Sequence, residues 1–176
     1  INQKNKSVNI QISSKESFME RTIFYNYILG YDTIKLEYNN IEIIEKIEKV
    51  CKELIGFEII SQTPNISILK NISIENKDQF DIIFRRFFLI VKLQSETLVD
   101  YCNQKDKKLL KLIISNELLS NKYSYYLRRL LIKLKPFDVP QSHNLFVYLW
   151  ALEQISDSYR NIAKNIIEKN TELNNL

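Results

Sequence analysis

Apolar residues recur along this chain with two distinct periods. Over residues 8–12, 33–37, 57–61 and 66–70 they alternate with polar ones, as in a strand with one buried face. Over 14–29 and 41–54 they return at three- and four-residue steps, the period of an amphipathic helix. Phe18, Ile23, Tyr25 and Ile28 are among the apolar positions of the first helix. In the second, Ile41, Ile44, Ile47, Val50, Cys51 and Leu54 mark one face, opposed by Glu42, Glu45, Lys46, Glu48 and Lys49. Pro64 and Asn65 supply the turn between the last two strands.

The chain has only two glycines, and both punctuate this pattern. Gly30 and Gly56 each follow a helical segment and precede an alternating one. That is the position of the left-handed residue that closes a last helical turn. The first region therefore reads as βαβαββ, with both helices expected on one face of a small sheet.

From residue 78 onward the pattern is helical alone. Phe80, Ile83, Phe84, Phe87, Val91, Leu98, Tyr101 and Cys102 form one stripe, ending near the polar junction 103–106. A second helix runs over 107–135 and stops before Pro136, because proline disfavours helix at the residue preceding it. A third occupies 140–169. Its expected buried stripe is Leu145, Tyr148, Leu149, Leu152, Ile155, Tyr159, Ile162, Ala163 and Ile166. Three long helices with short connections predict an antiparallel bundle. The fold class is thus α+β: a small βαβαββ domain over 1–75 and a three-helix bundle over 76–176.

Composition narrows the class of protein without naming a function. With 45% hydrophobic and 26% charged residues, the 176-residue chain is expected to bury a substantial core. Its apolar stretches are too short or too interrupted to span a bilayer, which predicts no membrane insertion. Residues 1–17 are polar and lysine-containing, without the apolar centre of a secretory leader, so a cytoplasmic location is expected. Cys51 and Cys102 have no metal-ligand spacing and read as reduced packing residues. A first residue that is Ile rather than Met suggests a fragment or a processed chain, which leaves room for a missing N-terminal module.

Three segments carry a family likeness. Residues 27–35 (YILGYDTIK), 47–60 (IEKVCKELIGFEII) and 152–164 (LEQISDSYRNIAK) together resemble the archaeal PhoU-like phosphate uptake regulators. Chains of that family commonly join an AbrB-type DNA-binding module to a small α/β region and a PhoU three-helix bundle. The resemblance implies a non-enzymatic regulator in a homodimer, with a phosphate-transport or signalling protein as partner. DNA contact would belong to the missing N-terminal module. It also implies a metal at Glu153 and Asp157, the acid-x-x-x-acid pair of the signature.

Two carboxylates four residues apart lie one above the other on a helix and repel by roughly 0.2–0.5 kcal/mol. A nearby cation would relieve that cost. Hard oxygen ligands suit a divalent metal or iron, whereas Arg160 or Lys164 could serve instead without any cofactor. The family's histidine after the aspartate is Ser158 here, its closing glutamate is Lys164, and acids expected in the second bundle helix are Asn116 and Asn121, leaving Glu117.

Other clusters point less clearly. Glu96 and Asp100 repeat the four-residue spacing beside Lys92, as on a solvated face. His143, the sole histidine, stands in the first turn of the last helix, and no nucleophile or phosphate-cradling motif accompanies it. Arg85-Arg86 and Arg128-Arg129 straddle helix faces, which places one of each pair beside the core and the other in solvent. Phe88, Phe146 and Trp150 lie off their main stripes and are candidate interface residues. A metal-free dimerisation module and a basic nucleic-acid-binding bundle are the alternative readings.

Overall fold

The computed structural model describes residues 5–12 and 18–169, where both periods resolve into regular elements. These are β1 (Ser7–Gln11), α1 (Met19–Ile28), β2 (Thr33–Glu37), α2 (Ile43–Lys52), β3 (Phe57–Gln62), β4 (Ile66–Asn71), α3 (Asp78–Gln104), α4 (Lys107–Leu134) and α5 (Val139–Lys169). The predicted order is therefore present. Residues 14–17 of the first expected helix lie outside the described residues.

Strand alternation fixes the sheet. Its order is β1-β2-β4-β3, with β1 parallel to β2 and β4 antiparallel to both of its neighbours. Ile34 aligns with Val8 on one side and Leu69 on the other, while Leu36 aligns with Ile10 and Ser67. Because side chains alternate across a strand, this register sends Ile34, Leu36 and Leu69 to one face, where all three are fully buried. Met19, Ile23, Asn26 and Tyr27 of α1 and Ile43, Ile47, Val50 and Cys51 of α2 are the buried helical positions. Phe18, Tyr25 and Ile41, expected on apolar faces, are exposed instead. The inward arc of α1 is set by Met19, Ile23 and Tyr27, and Tyr25 falls on its opposite side.

Both glycines hold the predicted left-handed conformation, with φ of 82° at Gly30 and at Gly56. After Gly30 the Tyr31 N–H reaches back to the Asn26 carbonyl at 3.2 Å, the six-to-one bond of a helix C-terminus. At Gly56 the backbone passes so near Ser73 and Asn71 that a Cβ would overlap their side chains.

The chain forms two compact units. One contains the described residues up to Lys77 together with Tyr125–Asp138, and the other Asp78–Ser124 with the described residues from Val139 onward. The division passes through α4 rather than falling at residues 75/76. Within the first unit, Arg129 and Lys133, near the end of α4, are ion-paired to Asp32 and Glu75, and the Tyr125 ring lies 4.6 Å from that of Phe24.

Within the second unit, Tyr101, Leu110, Ile113, Ala163 and Ile166 form one buried cluster. The end of α3 thus lies beside the start of α4 and the end of α5, the up-down-up order expected of the bundle. Lys105 ends α3 with φ of 57°, and Asp106 caps α4 by accepting the Lys108 N–H at 2.9 Å. Gln94 and Thr97 are buried on α3, whereas Cys102 is exposed. Tyr148, Ile155 and Ile162 of α5 are also exposed, so the buried arc of that helix is rotated away from the expected stripe.

Candidate functional site

That rotation brings polar side chains into the bundle. Leu149, Leu152, Glu153, Ser156, Ala163 and Ile166 are the inward positions of α5, and Glu153 is buried rather than off the stripe. Ser156 Oγ donates to Gln94 Oε1 at 2.7 Å, and Gln94 Nε2 donates to the Ile113 carbonyl at 3.1 Å. One amide therefore links α3, α4 and α5 through satisfied hydrogen bonds.

Asp157 stands one helical turn from Glu153, but its partners lie on α4 and on its own helix. Arg160 Nη1 is 2.7 Å from Glu117 Oε1 and 3.3 Å from Asp157 Oδ1. Asn121 Nδ2 donates to the same Glu117 oxygen at 2.6 Å. The Glu117 side chain is 3% exposed. Burial pushes its pKa above the usual carboxylate range; Arg160 opposes that rise, and the hydrogen-bonded Asp157 carboxyl reinforces it. Among the described residues, Asn116 Nδ2, Ser120 Oγ and Asn121 Oδ1 are buried without a hydrogen-bond partner. Lys164, the other proposed cation, is exposed on α5.

The donor set fits a carboxyl pair neutralised by a guanidinium better than it fits a resident metal. Glu117 and Asp157 converge, yet Arg160 is bonded where a cation would lie. No group of three His, Cys, Asp or Glu side chains among the described residues is placed to hold a metal ion.

A second cluster, in the first unit, has no counterpart in the sequence reading. Arg128 and Arg129 are both buried, and Arg129 completely so, instead of one meeting solvent. Arg129 Nε donates to Glu75 Oε1 at 2.6 Å and Nη2 to Asp32 Oδ1 at 2.9 Å. Nη1 donates to the carbonyls of Tyr27 and Tyr31 at 2.8 and 2.7 Å, at the negative end of α1. Its guanidinium carbon is 4.9 Å from the Tyr27 ring centroid and 5.1 Å from that of Phe57. Lys133 bridges Asp32 and Glu75, approaching Glu75 Oε2 at 2.7 Å.

Burial alone would raise the Asp32 pKa. The bond and charge of Lys133, the Lys6 N–H and Arg129 outweigh it and hold the carboxyl below its ordinary range. Burial likewise lifts the Tyr27 hydroxyl well above its ordinary value, against the charge of Arg129. With its donors directed at four acceptors, Arg129 leaves little capacity for a ligand, and the cluster acts as a lock. Arg129 and Lys133, four apart in an otherwise apolar run, were its only sequence signal. Asp32 and Glu75, about 100 and 54 residues earlier, could be matched to them only by the fold.

The remaining candidates are dispersed. Phe88 and Trp150 are exposed, Phe146 is half-buried, and His143 is exposed. Lys92 Nζ lies 3.4 Å from Glu96 on a solvated face, as expected. An open cleft of about 630 Å³ at the carboxyl ends of β1 and β2 is lined by Gln11, Ile12, Glu37, Tyr38, Asn39, Asn65 and Ile66. Cys51 is buried, and burial raises its thiol pKa to about 11, far from a reactive thiolate. No helix among the described residues is long and apolar enough to cross a membrane. No family model, curated protein or solved structure matches the chain.

Proposed function

We propose that this chain is a non-enzymatic regulatory module that works through contact with other proteins, of the PhoU-like phosphate-uptake type that its three sequence segments resemble. The observation that carries the reading is the Glu117–Asp157–Arg160 cluster. Three charged side chains from two bundle helices meet at the edge of the core, beside polar atoms that lack partners. Such a cluster supports more than one helix packing, because a change in charge at Glu117 or Asp157 alters what Arg160 holds. Its state would then bias the surface that α4 and α5 present to a partner.

The α+β architecture and the order of the bundle helices also support this reading. Among the described residues, those lining the cleft at β1 and β2 include no nucleophile–base pair. Nucleic-acid binding receives less support: Arg128 and Arg129 are buried, and Arg160 is bonded to acids. A contact module without a phosphate role is the second reading, favoured by the exposed apolar side chains of the bundle.

Removing the gene from its host separates these readings. For a phosphate-uptake regulator, uptake should lose its dependence on external phosphate and regain it when the intact chain, but not an Arg160→Met variant, is restored. Unchanged uptake would overturn the phosphate role.

A further inference from the structure

The α5 helix has an inverted distribution of chemistry. Glu153, Asp157 and Arg160, the charged residues between Val139 and Ala163, are buried or half-buried. Large apolar residues take the outer positions: Val147, Tyr148, Trp150, Ile155 and Ile162 are exposed, from 38% at Ile162 to 51% at Trp150. The other exposed positions between Asn144 and Ile162 are amide, alanine and serine residues. Not one exposed side chain over these 19 positions is charged, in a chain with 26% charged residues. The exposed face of α3 differs, carrying Asp81, Arg85, Arg86, Lys92, Glu96 and Asp100.

We infer that the outer face of α5 is a self-association surface, occupied by the same face of a second copy of this chain. Tyr148, Ile155 and Ile162 are spaced by seven residues, the repeat that keeps a helix face against another helix. Ala151 and Ser158 on either side of Ile155 are small enough for close approach. Charge decides the occupant. Two-fold pairing sets a surface against itself, so any charge near the axis would meet its like, and between Asn144 and Ile162 this face has none. Its amides, Asn144, Gln154 and Asn161, carry both donors and acceptors and can pair with their own copies. Depletion of charge together with Tyr and Trp is the composition of an interface centre. Ile155 is midway between Tyr148 and Ile162, so parallel and antiparallel symmetric pairing both bring it to its copy.

This inference rests on the contact-module reading but not on the phosphate role, and the two fail separately. The full chain should sediment at twice its 21.0 kDa mass. An Ile155→Lys/Ile162→Lys variant should be monomeric with unchanged far-UV circular dichroism, and Leu89→Lys on α3 should remain dimeric. In a Cys102→Ser background, Ile155→Cys should give a disulfide-linked dimer on mild oxidation, which tests the surface even if the double-lysine variant unfolds. A monomeric parent chain, a dimer that survives both lysines with helicity intact, or failure of Ile155→Cys to cross-link would each overturn the proposal. Loss of phosphate-dependent uptake would not affect it.

Discussion

Arg129 Nη2 lies 2.9 Å from Asp32 Oδ1, 97 residues away in sequence, with the arginine side chain wholly excluded from solvent. Its other donors engage Glu75 and the carbonyl end of α1. The ion pair therefore joins three separate segments of the first unit. Such a pair adds little net energy beside an apolar equivalent, but losing one partner leaves a buried charge uncompensated.

Arg129→Met should accordingly destabilise the chain by about 3–5 kcal/mol at neutral pH. Arg129→Lys should recover only part of this, because an ammonium cannot reproduce the guanidinium fork. Urea unfolding followed by circular dichroism measures both variants. A loss below about 1 kcal/mol for Arg129→Met would contradict the role given to the lock.

Asp32 and Glu117 should respond to pH in opposite directions. The Asp32 carboxyl is held below its ordinary value, so its contribution is complete above the unfolded pKa of about 3.9 and is lost as pH falls through the lower folded value. Asp32→Asn should cost stability at neutral pH and flatten the acid limb of unfolding. A variant with an unchanged acid limb would exclude this linkage.

The Glu117 carboxyl is raised, so the folded chain binds its proton more tightly than the unfolded one. Its favourable contribution is present below about pH 4.3 and declines as pH rises through the higher folded value. Glu117→Gln should therefore stabilise the chain at pH 7–8, by about 1 kcal/mol, and progressively less towards pH 4. Arg160→Met should act in the opposite direction at neutral pH, because Glu117 and Asp157 then face each other without their cation. Melting temperatures across this range test the pair, and destabilisation by Glu117→Gln at pH 8 would refute it.

The two glycines should differ in tolerance. A methyl at Gly30 meets Lys133 Cβ at 3.3 Å, whereas one at Gly56 overlaps Ser73 and Asn71. Both substitutions impose a left-handed conformation on alanine, costing about 1–2 kcal/mol. Gly56→Ala should add a steric penalty and be the more destabilising. Denaturant midpoints in that order support the close approach, and equal midpoints would argue against it.

Lys105 and Lys135 end α3 and α4 with φ of 57° and 46°, which glycine accepts without cost. Lys105→Gly should stabilise the bundle by up to about 1 kcal/mol. A lower melting temperature would show that its chain, which reaches over the Tyr101 ring at 6.0 Å, contributes more than the strain costs.

The sequence by itself determined the elements, because strand and helix periods, two glycine stops and a proline act over a few residues. It also offered Arg160 or Lys164 as the cation beside Asp157, and it left Glu117 in view as the acid remaining on α4. Only the tertiary structure decided which arc of each helix faces inward. On α5 the core takes Glu153 and Ser156 and leaves Ile155 and Ile162 outside, since helix rotation answers to all neighbours at once and not to the apolar count of one helix. It likewise decided the assignment of the end of α4 to the first unit. There Arg129 and Lys133 meet Asp32 and Glu75, acids whose distance in sequence carries no trace of their proximity.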